Sequence, residues 1–444
     1  MVEVGGRRAT PLAVGMVLLV STMSLVPAGE AAAQSPPPPS PDASPAPTVL
    51  ETPGDPTRPP RLEVPSFLLM DRRGQILRAR APDDPRPVAS LTKLMTAYLA
   101  ARAVTEQRAR WNEPVTVSPT ADARLGSTAE LDTGELLSLR KLLAAMLVTS
   151  ANDAALAIAE HLAGSVERFV EEMNRTAGML GLDGTEFTSP DGFDDAGTST
   201  ARDVATLWRE LVAGDLPANV VAPVRQAVAA RSFRLDEDRV FQNRNAMLWL
   251  YPGATGVKTG FTFGAGYCLL AAAEREGREL LAVVLGDDDE PFSDAAALLA
   301  FGIEGFEERR LVARGEEVDS ITVRGRLHPV VTAKGAIRLV PVGSEVDRSI
   351  RVRQRSAGLE VGDRVGTLVY RTRSGPIAVV PLLVGERATA EPDVPRPRRE
   401  DAWWALLVAG GLLAGFFALL IVLARVRRRF ERRGASGATR GWTP

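Results

Sequence analysis

The sequence predicts an α+β fold, in which one antiparallel sheet is covered by helices. Strand-like runs open the folded region at 66–70 and 75–80, and others close it at 255–263, 265–273 and 279–285. Between them, apolar residues recur with helical spacing. Strands at both ends of a helical segment pair most simply in one sheet, with the helices packed against its faces.

Five segments predict the helical middle, because their apolar residues return every three or four positions. They are 91–104, 135–148, 153–163, 166–180 and 201–212. A further helix is expected at 294–301, with Ser293 as its N-cap. A serine hydroxyl can accept hydrogen bonds from the free backbone amides of the first helical turn. These elements define a first domain over residues 62–306.

Residues 307–386 predict a small all-β domain. Short β-rich runs alternate there with glycine and serine turns, and none carries a recognisable catalytic pattern. The runs are 321–323, 337–342, 350–355, 365–370 and 377–383.

The amino-terminal residues predict export across a membrane. Residues 1–33 contain an arginine pair, an apolar stretch and a run of alanines, which is typical of a signal peptide. An uncleaved membrane anchor is the alternative interpretation. Residues 34–61 then form a linker, since the 11 prolines among residues 35–60 cannot support a packed core.

The carboxyl-terminal residues predict a membrane anchor. After a second linker over 387–402, residues 403–424 carry no charged side chain, and they are long enough as a helix to span about 30 Å of hydrocarbon. The segment that follows, from residue 425 onward, is rich in arginine. Arginine-rich flanks stay in the cytoplasm, so the tail, 425–444, is predicted to be cytoplasmic and the domains before it extracytoplasmic.

Composition excludes several classes of function. The net charge of -2 gives no reason to expect a nucleic acid partner. The single cysteine, Cys268, cannot form an internal disulfide and is expected in the core; the histidines, His161 and His328, lack metal-ligand spacing. We therefore expect no metal and no other cofactor. A Ser-His-Asp hydrolase is disfavoured as well, because His161 lies in a helical run.

Lysine is rare in this chain, and its positions are informative. Only Lys93, Lys141, Lys258 and Lys334 occur among 53 lysines and arginines. Ser90 and Lys93 are three residues apart at the start of a predicted helix, so their side chains share one face. A neutral lysine can take the serine proton, but only if its pKa falls from about 10.4 to near neutrality. Burial and a second cation would lower it, and Lys258 is the candidate cation.

A second motif, Ser150-Ala151-Asn152, falls between two predicted helices. A hydroxyl and a carboxamide at such a junction can relay a proton and hold a substrate amide. Ordinary N-capping is the alternative, since serine and asparagine are both favoured at helix starts.

A third motif, Lys258-Thr259-Gly260, lies on a predicted strand. Lys258 and Thr259 can hold a carboxylate, and Gly260 lets the backbone approach a ligand closely. The backbone amide of Phe261 could then join that of Ser90 in an oxyanion hole, in which each donor is typically worth about 10²–10³ in rate.

Together the three motifs match, in order, the S-x-x-K, S-x-N and K-T-G signature of penicillin-recognising serine enzymes. The chain resembles the D-alanyl-D-alanine carboxypeptidases among the low-molecular-mass penicillin-binding proteins, and the likeness covers roughly 62–385. It implies a fold of the β-lactamase and DD-peptidase type with a helical subdomain, followed by that family's small β domain. The segments that carry the likeness are 88–96, 149–154, 199–203, 252–262 and 265–268.

The resemblance implies an acyl-enzyme mechanism. Ser90 would attack the bond between the two terminal D-alanines of a peptidoglycan stem peptide, with Lys93 as the base. Ser150 would pass a proton to the leaving amine. Water would then release the shortened peptide, and β-lactams would acylate the same serine.

The resemblance also implies a set of substrate-binding residues. Asn152 would hold the substrate backbone, while Lys258, Thr259 and Gly260 would form the site for the terminal carboxylate. The stem peptide, β-lactams as covalent inhibitors and the membrane are therefore the expected partners.

Two alternatives remain open. A serine β-lactamase shares the three motifs, but its middle motif has an aspartate where this chain has Ala151, and Glu186 lacks the sequence context of a deacylating glutamate. The other alternative is a non-catalytic wall-binding protein on the same fold.

The chain also departs from the family pattern in two respects. It ends in a predicted spanning helix, and it carries Phe193 and two acidic residues in the loop after Asp191.

Overall fold

A computed structural model of the chain describes residues 55, 57–289, 291–324, 326–352 and 359–386, together with seven residues between 416 and 425. The described residues divide into two compact units. The first extends to Leu311 and includes 337–347 and 371–377, and the second contains 312–336, 348–370 and residues from 378 onward.

Helices and strands are numbered here in chain order. The helices are α1 (Lys93–Thr105), α2 (Pro119–Asp122), α3 (Leu139–Val148), α4 (Asn152–Ala163), α5 (Val166–Met179), α6 (Ala201–Ala213), α7 (Ala218–Ala229), α8 (Met247–Leu250) and α9 (Pro291–Glu304). The strands are β1 (Ser66–Asp71), β2 (Ile76–Arg80), β3 (Pro114–Thr116), β4 (Leu136–Ser138), β5 (Ser232–Arg234), β6 (Val240–Gln242), β7 (Ala254–Thr262), β8 (Gly266–Arg275), β9 (Arg278–Asp287), β10 (Phe306–Val312), β11 (Glu317–Val323), β12 (Arg326–Thr332), β13 (Ala336–Pro341), β14 (Asp347–Val352), β15 (Arg364–Thr372) and β16 (Gly375–Val384).

The central sheet of the first unit has the strand order β2-β1-β9-β8-β7, and neighbouring strands are antiparallel. The predicted pairing of early with late strands is confirmed. On β9, Leu281 and Val283 pack into a core shared with the helices, whereas Leu280 and Ala282 pack against α9 on the other face. Side chains alternate along a strand, so a strand buried on both faces reads as a continuous apolar run.

Helix α1 lies inside the helical core. Its residues Leu94, Met95 and Ala97 have no exposed surface, and the polar residues Lys93 and Thr96 are equally buried. A helix that packs on all sides is apolar on all sides. The sequence of α1 therefore carries Lys93 into the interior of the protein.

Two helix predictions differ from the structure. The segment predicted as one helix over 135–148 begins with β4, which pairs with β3, and only then continues as α3. Ser138 caps α3 by accepting the amide hydrogen of Lys141, which is the usual role of serine before a helix. Helix α9 begins at Pro291, so Ser293 lies within its first turn and the predicted N-cap is wrong.

Several elements were not predicted, and in α7 and β12 a proline lies in the interior of the element. Pro223 lies inside α7, although proline usually interrupts a helix. Pro329 lies inside β12, where it pairs with Ser320 of β11, although proline is normally confined to sheet edges. The β-rich pattern of the second unit is confirmed by a five-stranded sheet in the order β11-β12-β16-β15-β14.

Several predictions concern residues outside the described part of the chain. They are the signal peptide 1–33, most of the linker 34–61, residues 353–355 of a predicted strand, the linker 387–402, most of the apolar segment 403–424 and nearly all of the tail 425–444. Within the described residues, no helix combines the length and the apolar character that crossing a bilayer requires.

Candidate active site

Ser90 and Lys93 are in direct contact at the start of α1. Ser90 belongs to a 3₁₀ turn, Ala89–Thr92, that leads into the helix, and Lys93 Nζ lies 2.8 Å from Ser90 Oγ. Ala89 has φ 47°, in the left-handed region that non-glycine residues rarely adopt. Such strain is typical of functional sites. The predicted S-x-x-K pair is thus formed, with Ser90 partly exposed and Lys93 fully buried.

Two further groups surround the amine of Lys93. Asn152 Oδ1 lies 2.7 Å from Lys93 Nζ, and the backbone oxygen of Asp191 lies at the same distance. The Asn152 amide is oriented by its own contact, since Nδ2 donates to Leu125 O at 2.7 Å. Asn152 is the first residue of α4, whose N-cap is Ala151 without a side-chain cap. The capping interpretation of this motif is therefore wrong for Asn152.

Ser150 lies in the turn between α3 and α4. It is buried and has φ 66°, a second strained position in the same site. Among the described residues, its hydroxyl makes no hydrogen bond to Ser90 or Lys93. The structure therefore places Ser150 in the same turn as Asn152 without joining it directly to the nucleophile.

The third motif lies on β7, at one edge of the central sheet. Lys258 is buried, and its Nζ donates to Thr259 O at 2.8 Å. Gly260 faces the Ser90 turn, where a Cβ would lie 3.0 Å from Ser90 N and 3.0 Å from Val88 O. The absence of a side chain at this position therefore allows β7 to approach the nucleophile.

The aromatic residue after this motif lies beside the same strand edge. Phe261 pairs with Tyr267 of β8, and the ring centroids are 4.5 Å apart. Phe263 extends the cluster at 5.7 Å from Phe261 and is 80% exposed. Phe261 is also the residue after Gly260, the glycine that lies against the Ser90 turn.

The electrostatics of the site lower the pKa of both lysines. Burial lowers the pKa of Lys93 to about 7; the Asp191 carboxylate opposes this, and the Arg124 and Arg244 guanidinium groups add to it. Burial also lowers the pKa of Lys258, with Lys93 and Arg244 as additional causes. The sequence predicted Lys258 as the cation that lowers the pKa of Lys93, but Arg124 and Arg244 have that effect, and Lys93 instead lowers the pKa of Lys258.

Arg124 and Asp191 were not predicted as site residues. The Asp191 side chain has no exposed surface and receives two hydrogen bonds from Arg124, at 2.7 and 3.0 Å. Burial alone would raise the pKa of Asp191, but Arg124 and Lys93 hold it below its usual value. The two residues are 67 positions apart, so no local pattern could have indicated the pair.

Two more charged residues, Asp153 and Arg244, hold backbone segments that lie next to the site residues. The Asp153 carboxylate accepts hydrogen bonds from the backbone amides of Ala129 and Leu131, and it thereby holds the loop that faces Asn152. Arg244 donates from Nε to Thr149 O at 2.9 Å, next to Ser150. Neither residue stands out in the sequence, because each lies among ordinary helix or loop residues.

The loop that carries Asp191 is attached to α1 and to β7. Thr96 Oγ1 donates to Pro190 O at 2.6 Å, and Gly192 lies so close to the Ser90 turn that a Cβ would overlap the Ala89 carbonyl oxygen. At its far end, Asp195 accepts hydrogen bonds from the Thr262 hydroxyl and the Gly264 amide. Asp195, one of the residues in which this loop departs from the family pattern, therefore attaches the loop to the end of β7.

The rival residues lie elsewhere. His161 is exposed on α4 and contacts Glu113 at 2.8 Å, as expected for a surface histidine. Cys268 is fully buried, and burial raises the pKa of its thiol to about 12, as expected for a core residue. Glu186 is exposed, and its backbone pairs with Thr198.

Comparison with known proteins gives a consistent result. The family profile described as D-alanyl-D-alanine carboxypeptidase matches residues 54–289. The chain is 29% identical over 337 residues to D-alanyl-D-alanine carboxypeptidase DacF of Bacillus subtilis, covering 73% of this chain and 85% of the relative. It is 36% identical over 272 residues to DacD of Escherichia coli, covering 59% and 68%.

Solved structures agree with the sequence comparisons. Penicillin binding protein 5 from Haemophilus influenzae aligns with a TM-score of 0.65 at 29% identity, over 74% of this chain and 98% of the other. DacD from Francisella tularensis aligns with a TM-score of 0.65 at 26% identity, over 74% and 94%. The chain therefore belongs to the D-alanyl-D-alanine carboxypeptidase family.

Proposed function

We propose that Ser90 is the nucleophile and Lys93 the general base of a serine D-alanyl-D-alanine carboxypeptidase. The observation that carries this proposal is the set of partners around Lys93 Nζ. Asn152 Oδ1 and Asp191 O can only accept hydrogen bonds, whereas the Ser90 hydroxyl can also donate. Neutral Lys93 therefore directs its two N–H bonds to the acceptors and its lone pair to the serine proton.

The pKa of about 7 supports this role for Lys93. A general base is most effective when its pKa lies near the working pH. A large fraction of the base is then unprotonated, and the base still binds the proton strongly enough to remove it from the nucleophile. An arginine at this position would stay charged at any working pH.

The proposed reaction has two steps. Lys93 removes the hydroxyl proton as Ser90 Oγ adds to the carbonyl carbon of the penultimate D-alanine, and the amides of Ser90 and Phe261 stabilise the oxyanion. The C–N bond then breaks, the amine of the terminal D-alanine takes up a proton through Ser150, and an ester remains on Ser90. Water hydrolyses this ester and releases the shortened peptide.

The cations of the site support binding of a free C-terminal carboxylate. Lys258 is buried close to Lys93, and Arg244, which is partly buried, acts on both lysines. We assign the carboxylate contacts to Lys258, Thr259 and Gly260. A bound carboxylate would favour the charged form of Lys258 and so offset the effect of burial on its pKa. Asn152 would hold the substrate backbone.

We also propose that β-lactams acylate Ser90 by opening the lactam ring, and that water hydrolyses the resulting ester slowly. A strained lactam amide presents the same carbonyl to the nucleophile as the peptide does. Glu186 lacks the sequence context of a deacylating glutamate, which supports slow hydrolysis of the ester, because rapid deacylation needs a base beside it. This distinguishes the proposal from a β-lactamase.

The anchoring proposal rests on the sequence. We propose that residues 1–33 direct export, that 403–424 span the membrane, and that 425–444 stay in the cytoplasm, so that the active site works outside the cell membrane. Protease treatment of intact spheroplasts should remove the catalytic domain and leave the tail epitope protected. Digestion of the tail from outside would contradict this orientation.

The test of the proposed function uses the full-length protein in detergent with a stem pentapeptide that ends in D-Ala-D-Ala. We expect release of one equivalent of free D-alanine, and no release by Ser90→Ala. The same peptide with a C-terminal amide should be a poor substrate, since it lacks the carboxylate. Absence of D-alanine release and of penicillin labelling by the wild-type protein would favour the non-catalytic alternative.

A further inference from the structure

A partly buried ion pair, Arg124–Asp191, lies next to Lys93. The Asp191 carboxylate receives hydrogen bonds from Arg124 Nε at 2.7 Å and from Arg124 Nη2 at 3.0 Å. The backbone oxygen of Asp191 accepts the hydrogen bond from Lys93 Nζ at 2.7 Å. A single residue therefore connects Arg124 to the base.

The surroundings of the pair hold it in one arrangement. The Arg124 guanidinium lies over the Phe193 ring, 5.3 Å from its centroid, and the Phe193 amide donates to Asp191 Oδ1 at 3.2 Å. Gly126 makes this packing possible, because a Cβ there would lie 2.6 Å from the Phe193 ring and 2.7 Å from Asn152 Nδ2. The ion pair thus joins the loop around Gly126 to the loop of Asp191.

Both acceptors of Lys93 depend on this junction. Asp191 supplies one of them through its backbone oxygen. The other, Asn152 Oδ1, is turned toward Lys93 because Asn152 Nδ2 donates to the carbonyl of Leu125, the residue that follows Arg124. Movement of Arg124 would therefore disturb both acceptors.

Four charged residues, on α4 and on three loops, act on Lys93. Asp191 and Asp153 favour its ammonium form, whereas Arg124 and Arg244 disfavour it. Lys258 on β7 lies in the same interior, and Lys93 lowers its pKa. Within this set, Arg124 and Asp191 act on Lys93 in opposite directions although they are bound to each other.

We propose that the Arg124–Asp191 pair is a positioning element for Lys93, which fixes its two acceptors and sets the pH above which it serves as the base. The proposal rests on the roles of Ser90 and Lys93 given above. Its consequence is specific: removing one partner or the other shifts the pH dependence of acylation in opposite directions. A merely structural pair would lower the rate without such a split.

The direction of each shift follows from charge. Asp191→Asn removes the anion that stabilises the Lys93 ammonium, so the acid limb of acylation should move to lower pH. Arg124→Gln removes a cation and leaves the Asp191 charge unpaired, so the limb should move to higher pH. Each shift should be about one pH unit, as for a charge removed from a neighbouring site. Arg124→Lys keeps the charge, and the limb should stay close to that of the wild type.

The experiment measures the rate of acylation by a fluorescent penicillin from pH 5 to 9 with the full-length protein in detergent. Opposite shifts of the limb in Asp191→Asn and Arg124→Gln support the proposal, and restoration of the limb in the double variant strengthens it. Unchanged limbs, or shifts in one direction, overturn it. If one of the two neutral variants does not fold, as judged by thermal melting, the other decides: a limb shifted by about one pH unit in its stated direction supports the proposal, and an unchanged limb or a shift in the other direction overturns it.

Failure of the proposed function gives a different result. In that case the wild-type protein is not acylated, or Ser90→Ala is acylated as fast as the wild type. The proposal about the ion pair then falls with it, but the two failures are distinguished by the wild-type and Ser90→Ala measurements alone.

Discussion

Gly260 lies against the backbone of Ser90, and this close approach builds the site. A Cβ at Gly260 would lie 3.0 Å from the Ser90 amide nitrogen and 3.1 Å from Cβ of Ala89. The strand that carries Lys258 and the turn that carries the nucleophile therefore meet backbone to backbone. Only a residue without a side chain permits that contact without a shift of one or the other.

The first prediction concerns this contact. Gly260→Ala should push β7 away from the Ser90 turn and separate the two amides of the oxyanion hole. Since one such donor is worth about 10²–10³ in rate, we expect penicillin acylation to slow by about 10²-fold while the fold persists. Stopped-flow or gel-based labelling measures this rate.

A matched control is available at Gly178 in α5. A Cβ at this position would meet no atom within 4 Å, and alanine is favoured over glycine in a helix. Gly178→Ala should therefore label at the wild-type rate. An equally fast Gly260→Ala variant would mean that the close approach is not required.

The second prediction concerns the identity of the base. Lys93→Arg keeps a cation near Ser90 but cannot supply a neutral amine, because a guanidinium does not lose its proton at working pH. Acylation should fall by at least about 10³-fold, within the range that a general base and its positioning contribute. Lys334→Arg, at an exposed site in the second unit, is the control and should label normally. Near-normal acylation by Lys93→Arg would place the base elsewhere.

The third prediction concerns stability and pH. Burial lowers the pKa of Lys93 from 10.5 to about 7, so the folded protein binds this proton more weakly than the unfolded chain does. Unfolding therefore takes up a proton between about pH 7 and 10.5, and wild-type stability gains about 1.4 kcal/mol per pH unit from this group as the pH rises through that window.

The variant Lys93→Met lacks this group and isolates its contribution. The free energy of unfolding of the variant minus that of the wild type should fall by about 1.4 kcal/mol per unit between pH 7.5 and 9.5. Urea denaturation at several pH values in that range provides the measurement. A difference that does not change with pH would show that Lys93 is already charged, or already neutral, throughout the range in both states.

Local patterns were sufficient to predict much of the fold. The central sheet was predicted from short apolar runs, and α4, α5 and α6 were predicted within one or two residues of their observed ends. The pattern failed where tertiary contacts override local preference: Pro223 is accommodated inside α7, and the three residues before α3 pair with β3. Such choices depend on neighbours that a single sequence does not show.

The site divides in the same way. Ser90, Lys93, Asn152 and Gly260 were predicted because each lies in a short motif, and the structure brings them together. The contacts of Arg124 and Asp191 join positions far apart in the chain, so they follow only from the fold. The charge environment of the base was therefore the part of the site that sequence reasoning missed.

Acylation of the full-length protein by a penicillin, followed by digestion and mass spectrometry of the labelled peptide, tests the central claim most directly. We predict that one penicillin molecule is found on Ser90, and that Ser90→Ala carries none. Label on another residue, such as Ser150, or undiminished label in Ser90→Ala would contradict the account.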